Sequence, residues 1–372
     1  MLCYAHITGT GTGSDAGIQT EEAEGMPTIR DVANHLGVSV STVSRYLNNH
    51  PDLNEETRRK IEKAIHDLDY VPSSAARNVS RLSTRTVGLT IPDIQDSYFS
   101  DNAYGVERCL QENGYALVYG NISRSPKRMM DFVQYAREMR FDGLIITPEE
   151  WSDELLALLK KTRIPIVALR RRPPEDSGIP YVDADHYEGA KQMVDHLAGL
   201  GHRNIFHIVL NTDIGRERLR GYVDAMNSRG LTPKTMLIPE LPANRIMDGI
   251  AYGRAAAERL MREYPDTTAI FASSDPIGLG VMEYARARGV QVPDDLSVCG
   301  TGDLDIASLS WFEMTTVTFD RYELGRKAAG LLLNMLRKEE SCPKSVLFDT
   351  HLVLRRSTAR PKDQQNQKED FP

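Results

Sequence analysis

Cysteine is scarce in this chain. There are four in 372 residues, Cys3, Cys109, Cys299 and Cys342, and no two form a CxxC pair. That removes a zinc knuckle and a disulfide framework from consideration. No apolar run approaches the roughly 18 residues of a membrane helix. The first 25 residues, MLCYAHITGTGTGSDAGIQTEEAEG, hold no Lys or Arg and no apolar core segment, so a secretory signal is not expected. Together these absences point to a reducing cytoplasm. Catalytic signatures are missing too: there is no Gly-x-Ser-x-Gly elbow, no HExxH, no Walker loop and no strand-anchored GxGxxG. The GTGTG at 9–13 follows no strand and opens no helix, and His186, His202 and His207 lack metal-ligand spacing. No catalytic residue, metal or cofactor is therefore expected.

What the sequence does have is unevenly distributed. A length of 372 residues exceeds one ordinary core and implies two or three domains. The net charge is −7, yet residues 26–85 carry nine Lys/Arg against seven acids, while four acids and no base lie in 1–25. A mildly basic segment on an acidic body suits a small nucleic-acid reader attached to a larger domain.

Residues 27–70 read as three short helices. Thr28 with Asp31 resembles a capping box, and Ile29, Val32, Ala33 and Leu36 follow at helical spacing. Gly37 breaks that helix. Ser39 can cap the next, Asn54 the third, and Pro72 is expected to end it. In IRDVANHLGVSVSTVSRYL the spacing is that of a helix-turn-helix: Ala33 permits close packing, Gly37 the positive φ of the turn, and Val43 plugs the core. Ser41, Thr42, Ser44 and Arg45 then point outward at the start of the second helix, where a recognition helix meets base edges. Arg45 can grip a guanine and Val40 can touch a thymine methyl.

From residue 86 the pattern alternates. Strand-like runs lie at 86–91, 115–120, 141–147, 164–169, 204–210, 269–273 and 296–300, with amphipathic helical stretches around 97–113, 127–139, 187–200, 216–229, 248–263, 275–288 and 321–338, and a strand, a helix and a hairpin-like run, SVLFDTHLVLRRS, after 315. Repeated βα units imply parallel sheets covered on both faces.

TIRDVANHLGVSVSTVSRYLN followed by ETRRKIEKAIHDLDYVPSSAAR resembles the headpiece of the lactose-repressor (LacI/GalR) family. GLTIPDIQDSYFSD, YEGAKQMVDHLAGLGHRNI, RERLRGY, VPDDLSVCG and MTTVTFDRYELGRKAAGLLL continue the likeness in family order, over about residues 27–358. The fold class this implies is α/β: an N-terminal three-helix helix-turn-helix headpiece plus a two-lobed periplasmic-binding-protein-like core with parallel sheets. The domains would be a disordered acidic extension (1–25), the headpiece (26–72), a hinge (73–85), an effector-binding and dimerisation core (86–358) and a disordered tail (359–372). The implied protein is a cytoplasmic, ligand-responsive repressor of carbohydrate catabolic genes. It would bind a near-palindromic operator as a homodimer or higher oligomer and bind a sugar or sugar derivative between its lobes. A periplasmic-type sugar-binding protein and an architectural DNA binder without effector are the rival readings. The first would need an export signal and no headpiece.

The resemblance also places residues. Thr28 and Asn48 fall where family members hold phosphates, and Val40, Ser41 and Arg45 at base-contacting positions. Ala76 and Val79 fall in the hinge segment that enters the minor groove, with Val79 standing where the family has a leucine wedge. A β-branched valine is a shorter wedge that buries less area. In the core, Tyr98 and Phe99 fall where family aromatics stack on the ligand, Arg218 where an arginine clamps ligand oxygens, and Ser274 at a polar contact. Each has a plainer alternative: helix packing for the aromatics, a salt bridge for Arg218, a helix cap for the neighbouring Asp275. Two positions depart from the family. Arg170 stands where an aspartate often follows the fourth strand, and Gly302, with Asp303 next, stands where another aspartate is common. Losing aspartates that suit neutral hydroxyls and gaining arginine favours an anionic effector, a sugar acid or sugar phosphate. Alternatively, Arg170 is a surface or inter-lobe ion-pair residue.

Overall fold

The computed structural model describes residues 27–47, 50–70, 83–95, 97–238, 246–339 and 345–362. The expected extension at 1–25, Asn48, Ala76, Val79 and most of the hinge and tail lie outside them. The chain divides into two compact units after Leu82.

In the first unit, α1 (Ile29–Leu36), α2 (Val40–Leu47) and α3 (Glu55–Asp67) enclose Val32, Ala33, Val43, Ile61 and Ala64. Local chemistry explains the boundaries. The Thr28 backbone N–H and hydroxyl both donate to the Asp31 carboxylate at 2.7 Å. Gly37 adopts φ +66°, which any side chain would resist. The Thr42 N–H donates to Ser39 Oγ at 3.2 Å, and the Thr57 N–H to Asn54 Oδ1 at 2.8 Å. Helix α3 ends at Asp67, earlier than the expected stop at Pro72, because Asp69 takes a left-handed φ of +48°.

The second unit holds two sheets of six strands. The first lobe has the order β11-β5-β4-β3-β1-β2, made of β1 (Thr86–Ile91), β2 (Ala116–Asn121), β3 (Gly143–Ile146), β4 (Ile166–Leu169), β5 (Tyr181–Ala184) and β11 (Ser345–Phe348), all parallel. The second lobe has the order β12-β10-β9-β8-β6-β7, made of β6 (Ile205–Leu210), β7 (Lys234–Ile238), β8 (Ala269–Ala272), β9 (Ser297–Thr301), β10 (Thr315–Thr318) and β12 (His351–Val353), with only β12 antiparallel. Central strands such as GLII, IVAL and AIFA are buried throughout, as parallel strands covered on both faces must be.

The covering helices of the first lobe are α4 (Ser100–Glu112), α5 (Pro126–Glu138), α6 (Asp153–Thr162) and α12 (Arg321–Leu336). Those of the second are α7 (His186–Gly199), α8 (Asp213–Ser228), α9 (Ile246–Glu263), α10 (Asp275–Ala287) and the single turn α11 (Asp305–Ser308). Helices α4 and α12 touch backbone to backbone. A Cβ at Gly105 would strike the Tyr322 carbonyl, and one at Gly325 the Asn102 carbonyl.

The chain crosses between lobes three times: from β5 to α7, from β10 to α12, and from β11 to β12. The last crossing corrects the hairpin expected at the C-terminal run. β11 pairs with β5 and β12 with β10, so Asp349 and Thr350 bridge two sheets instead of turning within one. Where the second unit begins, the Asp142 carboxylate accepts from Ser83 Oγ (2.6 Å), Thr84 N–H (2.9 Å) and Arg85 N–H (2.9 Å).

Candidate functional sites: a DNA-reading helix and an inter-lobe cleft

In the first unit, α2 buries Val43 and leaves Val40, Ser41 and Arg45 exposed, with Thr42 and Ser44 half-buried. Thr28, at the N-terminus of α1, is exposed as well. The Arg45 guanidinium forms no ion pair among the described residues, so its donors remain available to a base edge. Of the expected headpiece contacts that the structure describes, Thr28, Val40, Ser41 and Arg45 are exposed and Thr42 and Ser44 are half-buried.

In the second unit, both lobes have the doubly wound order in which neighbouring loops diverge at a switch point, between β1 and β3 and between β6 and β8. Ligands of such sheets sit there, beyond the carboxyl ends of the strands. Tyr98 and Phe99 follow β1, Arg170 follows β4, Arg218 lies on the helix after β6, and Ser274 follows β8. A continuous chain of contacts joins the two aromatics and the two arginines across the lobes. The Arg170 guanidinium carbon lies 4.2 Å from the Tyr98 ring centroid and 4.8 Å from that of Phe99. Tyr98 packs edge-on to Phe319 at 6.5 Å, Phe319 to His186 at 6.0 Å, and Arg218 Nη2 lies 3.4 Å from His186 Nδ1.

The two arginines are the unusual members. Arg170 is 5% exposed and Arg218 7%, yet neither has a carboxylate at ion-pair distance among the described residues. Arg170 Nε and Nη1 and Arg218 Nε are buried with no acceptor. Arg218 Nη1 donates to the Ser273 carbonyl at 2.5 Å. Burial pulls the Arg218 guanidinium below its ordinary range, and the nearby Arg170 charge pulls it further. Arg170 also holds a left-handed φ of +59°, as do nine other described non-glycine residues.

The neighbouring charges are accounted for. Arg171 and Arg124 share Glu149 at 2.9 and 3.0 Å. Arg172 reaches Asp183 at 3.3 Å and, across the lobes, Glu217 at 3.8 Å. Arg321 binds Asp101 of α4 at 2.8 Å and donates to the Gly302 carbonyl of the other lobe. Asp303 is taken up within its own lobe by Arg355 at 2.6 Å. His186 lies 3.4 Å from Asp183, and burial drives its pKa down to about 4, so it is a neutral donor–acceptor at the crossover. Asp275 does not act as the helix cap weighed above; Ser274 holds the cap position. Asp275 is wholly buried and accepts from Thr316 Oγ1 (2.7 Å) and the Leu304 N–H (2.8 Å), and burial raises its pKa to about 6. Sequence reading missed Asp183, His186 and Arg321; a lone Asp in the short apolar run YVDA was the available signal.

Comparison with known proteins now decides the family. The family described as bacterial regulatory proteins, lacI family, matches residues 28–73, and a periplasmic binding protein-like domain matches residues 194–358. The transcriptional repressor CytR of Escherichia coli K12 is 30% identical over 92% of this chain and 99% of its own length. The chain belongs to the lacI family. The transcriptional regulator CelR of Thermobifida fusca is similar at 32% identity over 90% of this chain and 99% of its own. A solved CelR–cellobiose complex matches with a TM-score of 0.66 at 29% identity, over 89% of this chain and 99% of that one. The lac repressor dimer bound to operator shares the fold, with a TM-score of 0.79 at 24% identity over 90% of this chain and 99% of that one. As a lacI-family member the chain is a ligand-responsive, DNA-binding transcriptional repressor, and not an enzyme. No helix among the described residues is long and apolar enough to cross a membrane.

Proposed function

We propose that this repressor answers to an anionic effector, a sugar acid or sugar phosphate, held between the lobes by Arg170 and Arg218. One observation carries the reading: two guanidiniums are buried in the cleft with N–H donors that lack an acceptor and, among the described residues, no carboxylate within ion-pair distance. An unpaired buried charge costs several kcal/mol in practice, which a protein sustains where a counterion is to be bound. A neutral sugar would leave that cost in place. Tyr98, Phe99, Ser274 and Asp303 complete the proposed effector-site set, though Asp303 would first have to leave Arg355. On the DNA side, Thr28 and Asn48 would hold phosphates. Val40, Ser41, Thr42, Ser44 and Arg45 would read the major groove, and Ala76 and Val79 the minor groove. The protein would act in the cytoplasm as a homodimer on a near-palindrome upstream of carbohydrate catabolic genes, because one helix in one groove reads too few bases for genomic specificity.

Calorimetry on the full-length protein with neutral sugars, uronates and sugar phosphates tests the effector class. The anions should bind and Arg170→Ala should abolish that binding. Tight binding of a neutral sugar, unaffected by Arg170→Ala, overturns the reading.

A further inference from the structure

We propose that Tyr98 and Phe99 serve as positioning residues that clamp the Arg170 guanidinium in the cleft, and that they do not form a stacking shelf for the effector. This rests on the anionic reading above. The two rings meet edge to face, with centroids 5.9 Å apart and planes at 84°. The guanidinium occupies the corner between them, at 4.2 and 4.8 Å from the centroids. A pyranose stacked on the ring faces that meet at this corner would need the space that Arg170 already fills. A second cation, Arg321, lies 5.4 Å from the Tyr98 ring.

The chain reaches this arrangement at a cost and then fixes it. Arg170 takes its left-handed φ while its backbone N–H donates to the Val182 carbonyl at 2.8 Å, which sets the root of the side chain. The rings set its tip. A cation over aromatic faces is attracted by the ring quadrupole and more strongly so when desolvated. The planar guanidinium is the cation suited to such stacking, because its in-plane N–H donors stay free for an oxyanion while its face rests on a ring. Arg170 Nε and Nη1 are left in that state, buried and without an acceptor. The donors are therefore ordered before the ligand arrives, so binding does not have to immobilise a long side chain. The fitness of the site for an anion lies in the three residues as a unit.

The test uses the full-length protein with glucose 6-phosphate, glucuronate and glucose as calorimetric probes, comparing Tyr98→Phe, Tyr98→Leu, Phe99→Leu, Arg170→Met and the double variant Tyr98→Leu/Arg170→Met. Tyr98→Phe keeps the ring and should hold anion affinity within about threefold. Tyr98→Leu and Phe99→Leu should each lower it about tenfold. The double variant should bind anions no worse than Arg170→Met alone. Anion affinity unchanged by Tyr98→Leu and Phe99→Leu, or losses that multiply in the double variant, overturns the clamp while leaving the anionic effector standing. Binding of glucose alone, abolished by Tyr98→Leu, overturns both. A ligand-free readout covers a parent that binds none of the probes or a variant that fails to fold. The Arg170 Nε–H proton, identified by its loss in Arg170→Met, should show an upfield ring-current shift that Tyr98→Phe preserves; an unshifted resonance overturns the clamp.

Discussion

Replacing Arg170 with methionine should make the ligand-free protein more stable while removing its response to anions. Methionine matches the stem of arginine in length, keeps the rings covered and leaves the backbone at the same φ. What it removes is a buried charge with no carboxylate within ion-pair distance among the described residues, Asp183 attracting it only from further away. The burial penalty is several kcal/mol, and the ring contacts return about 2 kcal/mol of it. A net gain of about 1–2 kcal/mol follows for the variant. For a unit of about 290 residues the unfolding entropy is about 0.6 kcal/mol per kelvin, so the core melting transition should rise by about 2–3 °C. Each charge-assisted hydrogen bond to an oxyanion is worth about 1.5–3 kcal/mol. Losing two should weaken anion binding by at least about a hundredfold. Differential scanning calorimetry without ligand and titration calorimetry with glucuronate or glucose 6-phosphate measure the two halves. A variant that melts lower than the parent would mean that Arg170 is a structural ion-pair residue, and the electrostatic argument for the effector would fail with it.

Arg45→Ala should cost about 1–3 kcal/mol of operator affinity and relax preference at one base pair of each half-site; an unchanged profile in a selection library rejects that role. Gly325→Ala drives a Cβ into the Asn102 carbonyl and should destabilise the core by about 1–3 kcal/mol; an unaltered melting curve would mean that the two helices do not touch. Burial holds His186, His202 and His207 near pKa 4, below the ordinary 6.5, so the unfolded chain takes up protons first on acidification. Stability should therefore fall from pH 6.5 towards 4. The buried Asp275, raised to about 6, acts in the opposite direction and offsets part of the loss; a melting temperature flat over that range contradicts the neutral burial of the three. Asp142→Ala removes the acceptor for Ser83, Thr84 and Arg85. It should leave effector affinity within about threefold while shrinking the effector-dependent change in operator affinity, measured by fluorescence anisotropy; a full response shows that this anchor is dispensable.

The headpiece and the parallel sheets were legible because their signals are local. Capping pairs, Gly37 and near-continuous apolar runs each declare themselves within a few residues. Strands β5 and β7 and helix α6 escaped for the opposite reason. YVDA is short and carries a charge, KTMLI alternates at a sheet edge, and DELLALLKKT is a brief helix between a Trp-containing loop and a proline. The C-terminal run read as a hairpin because two short strands in succession look alike whether they pair with each other or with partners well over a hundred residues away. At the cleft, sequence supplied the arginines but not their surroundings. That Asp303 is consumed by Arg355, and that Arg170 already lies over the Tyr98 and Phe99 rings, depends on side chains brought together from distant points of the chain.

The crossovers between the lobes also mean that the run from Ser345 to Val353 stitches the two halves of the core together. A stop codon ahead of Ser345 would strip an edge strand from both sheets in one event and sever one of the three crossings between the lobes. Trimming this end should thus be tolerated down to the residues just beyond β12 and then fail abruptly, taking ligand sensing and structural integrity together and not by degrees.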